Sequence, residues 1–168
     1  MGLPDLYNYS GLPTWHGYAG QFSLMGLISG KAPDLFGYEK WMLGWLDDAQ
    51  IFCAQNGTSI VDIHPIESTD TGTKIVVLPI SDNKSLVIES RKSILVDENL
   101  TEEGILIYQV DSSIRSGEGC LEVLPSNRRN EGKIDLLLKE GDILSINGYS
   151  IEVLLQSDLF DRISIVKE

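Results

Sequence analysis

The sequence is poor in the residues and runs that mark several protein classes. Acidic residues outnumber basic ones, 25 Asp and Glu against 13 Lys and Arg, and the formal charge of −12 repels nucleic-acid backbones and anionic lipid. No apolar run approaches the roughly 18–20 residues that a membrane span needs. The 2 cysteines match no CxxC metal or redox pattern. We therefore expect no nucleic-acid partner and no membrane span.

Catalytic motifs are also scarce. The 2 histidines, His16 and His64, lie in different segments and form no His-Glu-x-x-His. The serines form no Gly-x-Ser-x-Gly elbow, and neither cysteine has the sequence signature of a nucleophile. Taken alone, these residues indicate a chain without a complete active site.

What the chain does contain is enough apolar sequence for a core, and a sharp change in composition near residue 48. Of its 168 residues, 42% are hydrophobic and 23% charged, which is typical of a globular protein. Most of the aromatic residues and half of the 16 glycines precede residue 48. We therefore expect two differently built parts, 1–48 and 49–168.

The first part predicts a long irregular loop over residues 1–32 and one helix over 34–46. Turn dipeptides are frequent in the loop, and long loops of this kind are usually functional. Asp34 suits the start of the helix, and one face of it carries spaced apolar residues. These are Leu35, Tyr38, Met42 and Trp45.

In the second part the residue pattern repeats with a period of two, which is typical of β-strands and predicts an antiparallel β-sandwich. Asn147-Gly148 predicts a type I′ hairpin turn, because both residues tolerate a positive φ. A second hairpin is predicted at residues 81–84, and residues 133–140 fit either a strand or a short helix. Strands are predicted at 59–64, 73–80, 85–90, 105–110, 142–146, 150–155 and 162–167.

Three segments of the first part share a pattern with a known protease family. They are GLPDLYNY at 2–9, FSLMG at 22–26 and YEKWMLGWL at 38–46. This pattern resembles the region just past the zinc helix of immune inhibitor A-type metallopeptidases, which are secreted, metzincin-like bacterial enzymes. The resemblance continues into LVIESR at 86–91 and GILIYQVD at 104–111, and it is weakest after about residue 124.

The resemblance implies a zinc-dependent endopeptidase of which this chain holds the downstream part. The family motif is His-Glu-x-x-His-x-x-Gly-x-x-Asp, and Gly2 and Asp5 match its last glycine and aspartate. Asp5 would then occupy the position of the third zinc ligand, and Met25 that of the methionine turn. Both zinc histidines and the catalytic glutamate, which activates a zinc-bound water in the family, would fall outside this chain. We expect the chain alone to be inactive.

On this interpretation the fold class is α+β and mainly β. A metzincin-like C-terminal subdomain, made of a long loop, a methionine turn and one helix, occupies 1–48. An antiparallel β-sandwich occupies 49–168. The resemblance also implies an extracellular location and a protein or peptide substrate. A non-catalytic binding or adhesion module remains the alternative.

Further residues have structural interpretations beside functional ones. His16 is a surface loop residue or a candidate for the wall of the substrate cleft. Trp41 and Trp45, on either side of Gly44, are expected in the helix core, and Glu89 and Arg91, two apart on one strand face, are expected to form an ion pair.

Two further sites are left open by the sequence. The acidic stretches at 97–103 and 158–161 could hold calcium, or they form a solvated acidic face. Cys53 and Cys120 could form a disulfide if the protein is exported, or remain as free thiols.

Overall fold

The computed structural model describes residues 2–11, 17–26, 33–125, 129–130, 133–134 and 136–167. Among them, no helix is long and apolar enough to cross a membrane. The α-helix α1 covers Gly37–Met42, and single 3-10 turns cover Asp48–Gln50 and Leu95–Asp97. The strands are β1 Ile51–Cys53, β2 Gly57–Ile63, β3 Ile75–Ser81, β4 Lys84–Arg91, β5 Gly104–Asp111, β6 Leu121–Val123, β7 Arg129–Asn130, β8 Lys133–Ile134, β9 Leu137–Leu138, β10 Ile143–Ile146, β11 Tyr149–Gln156 and β12 Asp161–Lys167.

The strands form two main sheets. The first has the order β1-β3-β4-β5-β6, with β9 also paired to β5, and the second has the order β10-β11-β12-β2. Strands β7 and β8 form a separate antiparallel pair. Strand β1 pairs with β3 in parallel, whereas the other pairs are antiparallel. The mainly β, antiparallel character predicted from the sequence is confirmed.

The two sheets pack face to face around an apolar core, which we call the inter-sheet core. Alternate residues of each strand enter it because side chains along a strand point to opposite faces. The first sheet contributes Val76, Leu78, Leu86, Ile88, Ile105 and Ile107, and the second contributes Val61, Ile63, Leu144, Tyr149, Ile151, Val153, Ile163 and Ile165. This arrangement confirms the predicted sandwich.

The opposite face of the first sheet is also buried, because the N-terminal segment covers it. A second core joins strand residues such as Val87 and Tyr108 to Leu6, Phe22 and Phe36. The first sheet therefore lies in the middle of three layers. Side chains from both predicted parts, 1–48 and 49–168, therefore pack together in this second core.

All seven strands expected from the period of two are present, with ends shifted by at most two residues. In the turn between β10 and β11, Asn147 has φ +52° and Gly148 has φ +77°, as a type I′ turn requires. The ambiguous stretch 133–140 contributes the short strands β8 and β9.

The helix is shorter than the predicted 34–46. It begins after Phe36 and ends at Met42 because Gly44 adopts a left-handed conformation with φ +70°. The Gly44 and Trp45 N–H groups then donate to the carbonyls of Trp41 and Lys40, a Schellman ending. The predicted apolar face was therefore wrong at its end: Trp45 lies beyond the helix and is 60% exposed, and Met42 is 51% exposed.

The two cysteines are free thiols, and the possible bridge between them is contradicted. Cys53 is in β1, at one edge of the first sheet, and Cys120 directly precedes β6 at the other edge. Four strand spacings of about 4.8 Å separate these edges, roughly 19 Å, whereas a disulfide needs Cα atoms within about 7 Å.

Candidate functional site

Asp5, the predicted third-ligand position, lies in an extended segment fixed by its main chain. Its N–H donates to Ser116 Oγ over 2.8 Å, and its carbonyl accepts the Gly117 N–H over 2.9 Å. Gly2, three residues earlier, has φ +82°, in the left-handed region that favours glycine. The loop before β6 therefore holds Asp5 from one side.

The Asp5 carboxylate has a phenol as its neighbour. Tyr9 Oη donates to Asp5 Oδ2 over 2.5 Å, and the same hydroxyl is 3.5 Å from Ser116 Oγ. The hydrogen bond to Asp5 raises the pKa of Tyr9. Asp5 is only partly buried, so its carboxylate lies near solvent with the phenol beside it.

The turn at Ser23–Gly26 lies directly against this segment. The Leu6 N–H donates to the Met25 carbonyl over 3.0 Å, and the Met25 N–H donates to Ser23 Oγ over 3.1 Å. The Met25 side chain packs against the second core. The residue that follows Asp5 is thus bonded to Met25, the methionine for which the resemblance implies a place in the methionine turn.

Ser23 connects this turn to a buried acid, Glu39 of α1. Ser23 Oγ and the Phe36 N–H both donate to Glu39 Oε2, over 2.6 Å and 2.9 Å. Glu39 Oε1 has no hydrogen-bond partner among the described residues. Burial raises the pKa of Glu39 to about 7, because the charged form is poorly solvated.

Glu39 also lines a cavity of about 390 Å³ between the N-terminal segment, α1 and the loop before β6. A volume of this size lies within the roughly 300–1,000 Å³ of small-molecule sites. The lining residues are Gly2, Leu3, Pro4, Tyr38, Glu39, Met42, Val110, Asp111, Ser112, Ile114, Ser116, Cys120 and Leu121.

A second group of charges lies deeper, around Arg91 of β4. Arg91 Nη1 donates to Glu89 Oε1 over 2.9 Å, so the predicted Glu89–Arg91 ion pair is confirmed. Arg91 Nε lies 3.2 Å from Glu67 Oε1, and Nη2 lies 2.5 Å from Asp97 Oδ2. These two contacts are close in distance but lack the geometry of a hydrogen bond. All four side chains are fully shielded from solvent.

Three carboxyl groups around one guanidinium leave an excess of negative charge, and protonation relieves it. Burial, and then the neighbouring carboxyl group of Asp97, raises the pKa of Glu67 to about 9. Burial also raises the pKa of Glu89. Glu67 is therefore protonated at neutral pH. We call Arg91, Glu67, Glu89 and Asp97, with Tyr108 hydrogen-bonded to Glu89, the Arg91 cluster.

Two other residues singled out from the sequence, a histidine and a tryptophan, have partners of their own in the described part of the chain. His64 pairs with Asp70, with 2.9 Å between Nδ1 and Oδ1, and His16 lies outside the described residues. Half-buried Trp41 donates its indole N–H to Asp48 over 2.9 Å.

Both acidic stretches considered for calcium hold a carboxylate that is engaged by a cationic side chain. Asp97 contacts Arg91, and Asp161 pairs with Lys92 over 2.8 Å.

Sequence reasoning missed Glu39, Glu67, Tyr9 and Ser116. Glu39 had a detectable signal, because it lies four residues after Leu35 and thus on the predicted apolar face of the helix. An acid on such a face is either paired or functional. Glu67 and Ser116 have no such signal, because long-range folding alone brings them to Arg91 and Asp5.

The residues present do not make a zinc site by themselves. A catalytic zinc takes three protein ligands, and Asp5 supplies one carboxylate. Among the described residues no group of three His, Cys, Asp or Glu side chains could hold a metal ion.

Comparison with protein-family models, with curated proteins and with solved structures finds no match for the chain. A functional assignment therefore rests on its own residues and their geometry.

Proposed function

We propose that this chain is the C-terminal portion of a secreted zinc endopeptidase similar to immune inhibitor A. Residues 1–48 would form one wall of the active-site cleft in a metzincin-like subdomain, and the β-sandwich would support that wall. The complete enzyme would hydrolyse peptide bonds. The two zinc histidines and the glutamate would come from residues outside this chain.

The observation that carries the proposal is the contact between the Asp5 segment and the Met25 turn. The two segments are separated by about 20 residues, yet the residue after Asp5 bonds to the Met25 carbonyl over 3.0 Å. In the family pattern, the methionine turn lies beneath the metal ligands. The position of Met25 beside the residue that follows Asp5 agrees with that pattern.

The surroundings of Asp5 are also suited to a ligand position. Main-chain bonds to Ser116 and Gly117 fix the segment, and the carboxylate stays near solvent. A fixed ligand loses little conformational freedom when a metal binds. The hydroxyl of Tyr9 holds the orientation of the carboxylate, as outer groups commonly do for metal ligands.

The test begins with the genomic DNA upstream of codon 1. We expect an in-frame His-Glu-x-x-His segment, and the extended protein should retain zinc through dialysis and cleave casein. Asp5→Asn should reduce this activity by more than the roughly 10–100-fold that outer-shell partners cost. Asp82→Asn, in the exposed turn between β3 and β4, removes the same charge and should leave activity unchanged.

The isolated chain supplies a second test. One carboxylate cannot replace a three-ligand site, so we expect no zinc binding tighter than micromolar and no cleavage of casein. Zinc retained stoichiometrically by this chain would contradict the proposal. A stop codon and ribosome-binding site directly upstream would also contradict it and favour the non-catalytic binding module.

A further inference from the structure

The cavity beside α1 combines apolar walls with one incompletely bonded acid. Its lining includes the apolar residues Leu3, Pro4, Met42, Val110, Ile114 and Leu121. Glu39 lines the same cavity, and its side chain is 1% exposed. Apolar walls with a few polar groups are the usual composition of a site for a small organic group.

Only one of the two carboxylate oxygens of Glu39 accepts hydrogen bonds from described residues. Its Oε2 is occupied by Ser23 Oγ and the Phe36 N–H, whereas Oε1 has no donor in the described part of the chain. A buried carboxylate oxygen without a donor costs free energy. A ligand that brings a donor, and preferably a positive charge, would remove that cost.

The charges around the cavity favour a cation. No Lys, Arg or His is among its described lining residues, which do include a second acid, Asp111. Asp111 is engaged by Lys84 Nζ at 3.4 Å and by the Ser113 hydroxyl. Burial raises the pKa of Cys120, so that its thiol is neutral. Glu39 is therefore the acid of this cavity that lacks a charge partner there.

We propose that this cavity binds the side chain of a basic residue of a peptide, with its cationic group at Glu39 Oε1. The methylene groups of an arginine or lysine side chain would lie against the apolar walls, as such stems do on apolar surfaces elsewhere. A guanidinium group offers five N–H donors and suits a carboxylate especially well. This inference goes beyond the proposed peptidase function and does not depend on it, because binding is measured on the chain without zinc.

The test compares two ligands that differ only in the end group. N-acetylarginine methylamide carries a guanidinium, and N-acetylcitrulline methylamide carries a neutral urea of almost the same shape. Titration calorimetry of the full chain at pH 8 should show at least about tenfold tighter binding of the arginine compound, since hydrogen bonds to charged groups are the stronger ones. Equal affinity for the two compounds, or no binding of either, would overturn the proposal.

Two variants separate the role of Glu39 from general attraction by an acidic protein. Glu39→Gln should abolish the preference for arginine over citrulline. Glu118→Gln removes the same charge from an exposed residue nearby and should keep the preference. A preference that persists in Glu39→Gln would contradict the assignment.

The two thiols provide a readout that needs no variant. Cys120 lines the cavity, whereas Cys53 is exposed on β1. The arginine compound should slow alkylation of Cys120, and the citrulline compound should not, with Cys53 unaffected by both. If Glu39→Gln does not fold, this measurement decides the proposal. Equal alkylation of Cys120 with and without the arginine compound would overturn it.

Discussion

The two faces of the first sheet show two different ways of burying the same strands. On one face, β4 and β5 contribute Leu86, Ile88, Ile105 and Ile107 to the inter-sheet core. A polar contact lies at the end of β4, where buried Ser90 donates to Asp161 of the second sheet. On the other face the same strands contribute Glu89, Arg91 and Tyr108, all buried. Alternation along these strands therefore places the apolar residues of the inter-sheet core on one face and the Arg91 cluster on the other, which we call the polar face.

The difference follows from what covers each face. The inter-sheet core is covered by another sheet, whose backbone groups bond to each other. The polar face is covered by residues 34–38, an extended segment and the start of α1, whose backbone groups have no strand partner. The Gly37 N–H donates to Glu89 over 2.7 Å, the Asp34 N–H to Asp97 over 2.7 Å and the Tyr38 N–H to Tyr108 Oη over 3.1 Å.

Buried charges on this face thus take the place of a sheet neighbour. Backbone N–H groups that are removed from water must find acceptors, and carboxylates are strong ones. Arg91 then offsets the charge that the carboxylates bring. In this interpretation the Arg91 cluster positions the N-terminal segment, including the Glu39 cavity, on the sandwich.

The largest expected effect comes from removing the central cation. Arg91→Met removes the cation that contacts Glu89 and Asp97 in this buried cluster, and we expect a loss of about 3–5 kcal/mol in the free energy of unfolding. Urea denaturation at pH 7 measures it. Arg162→Met is the matched control, because Arg162 pairs with Asp62 at the surface over 2.6 and 2.8 Å. That pair should contribute at most about 1 kcal/mol. Equal losses in the two variants would contradict a special role for the cluster.

The second prediction concerns the pH dependence of stability, which should arise from the polar face and not from the inter-sheet core. Glu67 has its pKa raised from 4.5 to about 9 in the folded chain, so between these values the folded state holds more protons than the unfolded state. Its contribution to stability is therefore complete below pH 4.5 and is lost as the pH rises towards 9. The raised pKa of Glu39 has the same effect at lower pH, because its contribution to stability is lost as the pH rises towards about 7. From pH 7 to 9 we expect a decrease of up to about 1.4 kcal/mol per pH unit.

Two variants test whether this slope belongs to the polar face. Glu67→Gln should flatten the dependence between pH 7 and 9, because it removes the titrating group. Ile88→Val, in the inter-sheet core, should lower stability by about 0.5–1.5 kcal/mol at every pH and leave the slope unchanged. Urea denaturation at several pH values gives both results, and an unchanged slope in Glu67→Gln would contradict the assignment.

The sequence predicted the apolar face better than the polar one. Alternation along the strands at 85–90 and 105–110 is a local signal, and so is Asn147-Gly148, and the sandwich and its hairpin were correctly predicted from them. The short strands β1 and β6 were missed, because two or three residues carry too little pattern and their pairing depends on the rest of the sheet. The helix was predicted too long because the spacing of apolar residues continued past Gly44.

Within the candidate site, the sequence predicted only the contact between residues that are close together in the chain. Glu89 and Arg91 are two apart on one strand, so that their pairing follows from geometry along the chain. Glu67 and Asp97 reach Arg91 through separate loops, and nothing in their neighbourhood in the sequence indicates it. The contact between Leu6 and Met25 likewise required the fold, although both lie in segments that carry the family pattern.

The smallest effect compares one hydroxyl on each face. Tyr108 Oη donates to Glu89 Oε2 over 2.9 Å and accepts the Tyr38 N–H, whereas Tyr149 Oη donates to the Pro79 carbonyl over 2.8 Å. Tyr108→Phe removes a bond to an ionisable group, which is worth about 1.5–3 kcal/mol, and also leaves a backbone N–H without its acceptor. Tyr149→Phe removes a neutral bond worth about 0.5–1.5 kcal/mol. Both variants delete one oxygen and keep the ring, so the difference in unfolding free energy, about 1 kcal/mol, isolates the bonding. Equal losses in Tyr149→Phe and Tyr108→Phe would contradict this prediction, because the hydrogen bonds of the Tyr108 hydroxyl would then contribute no more to stability than the neutral bond of Tyr149.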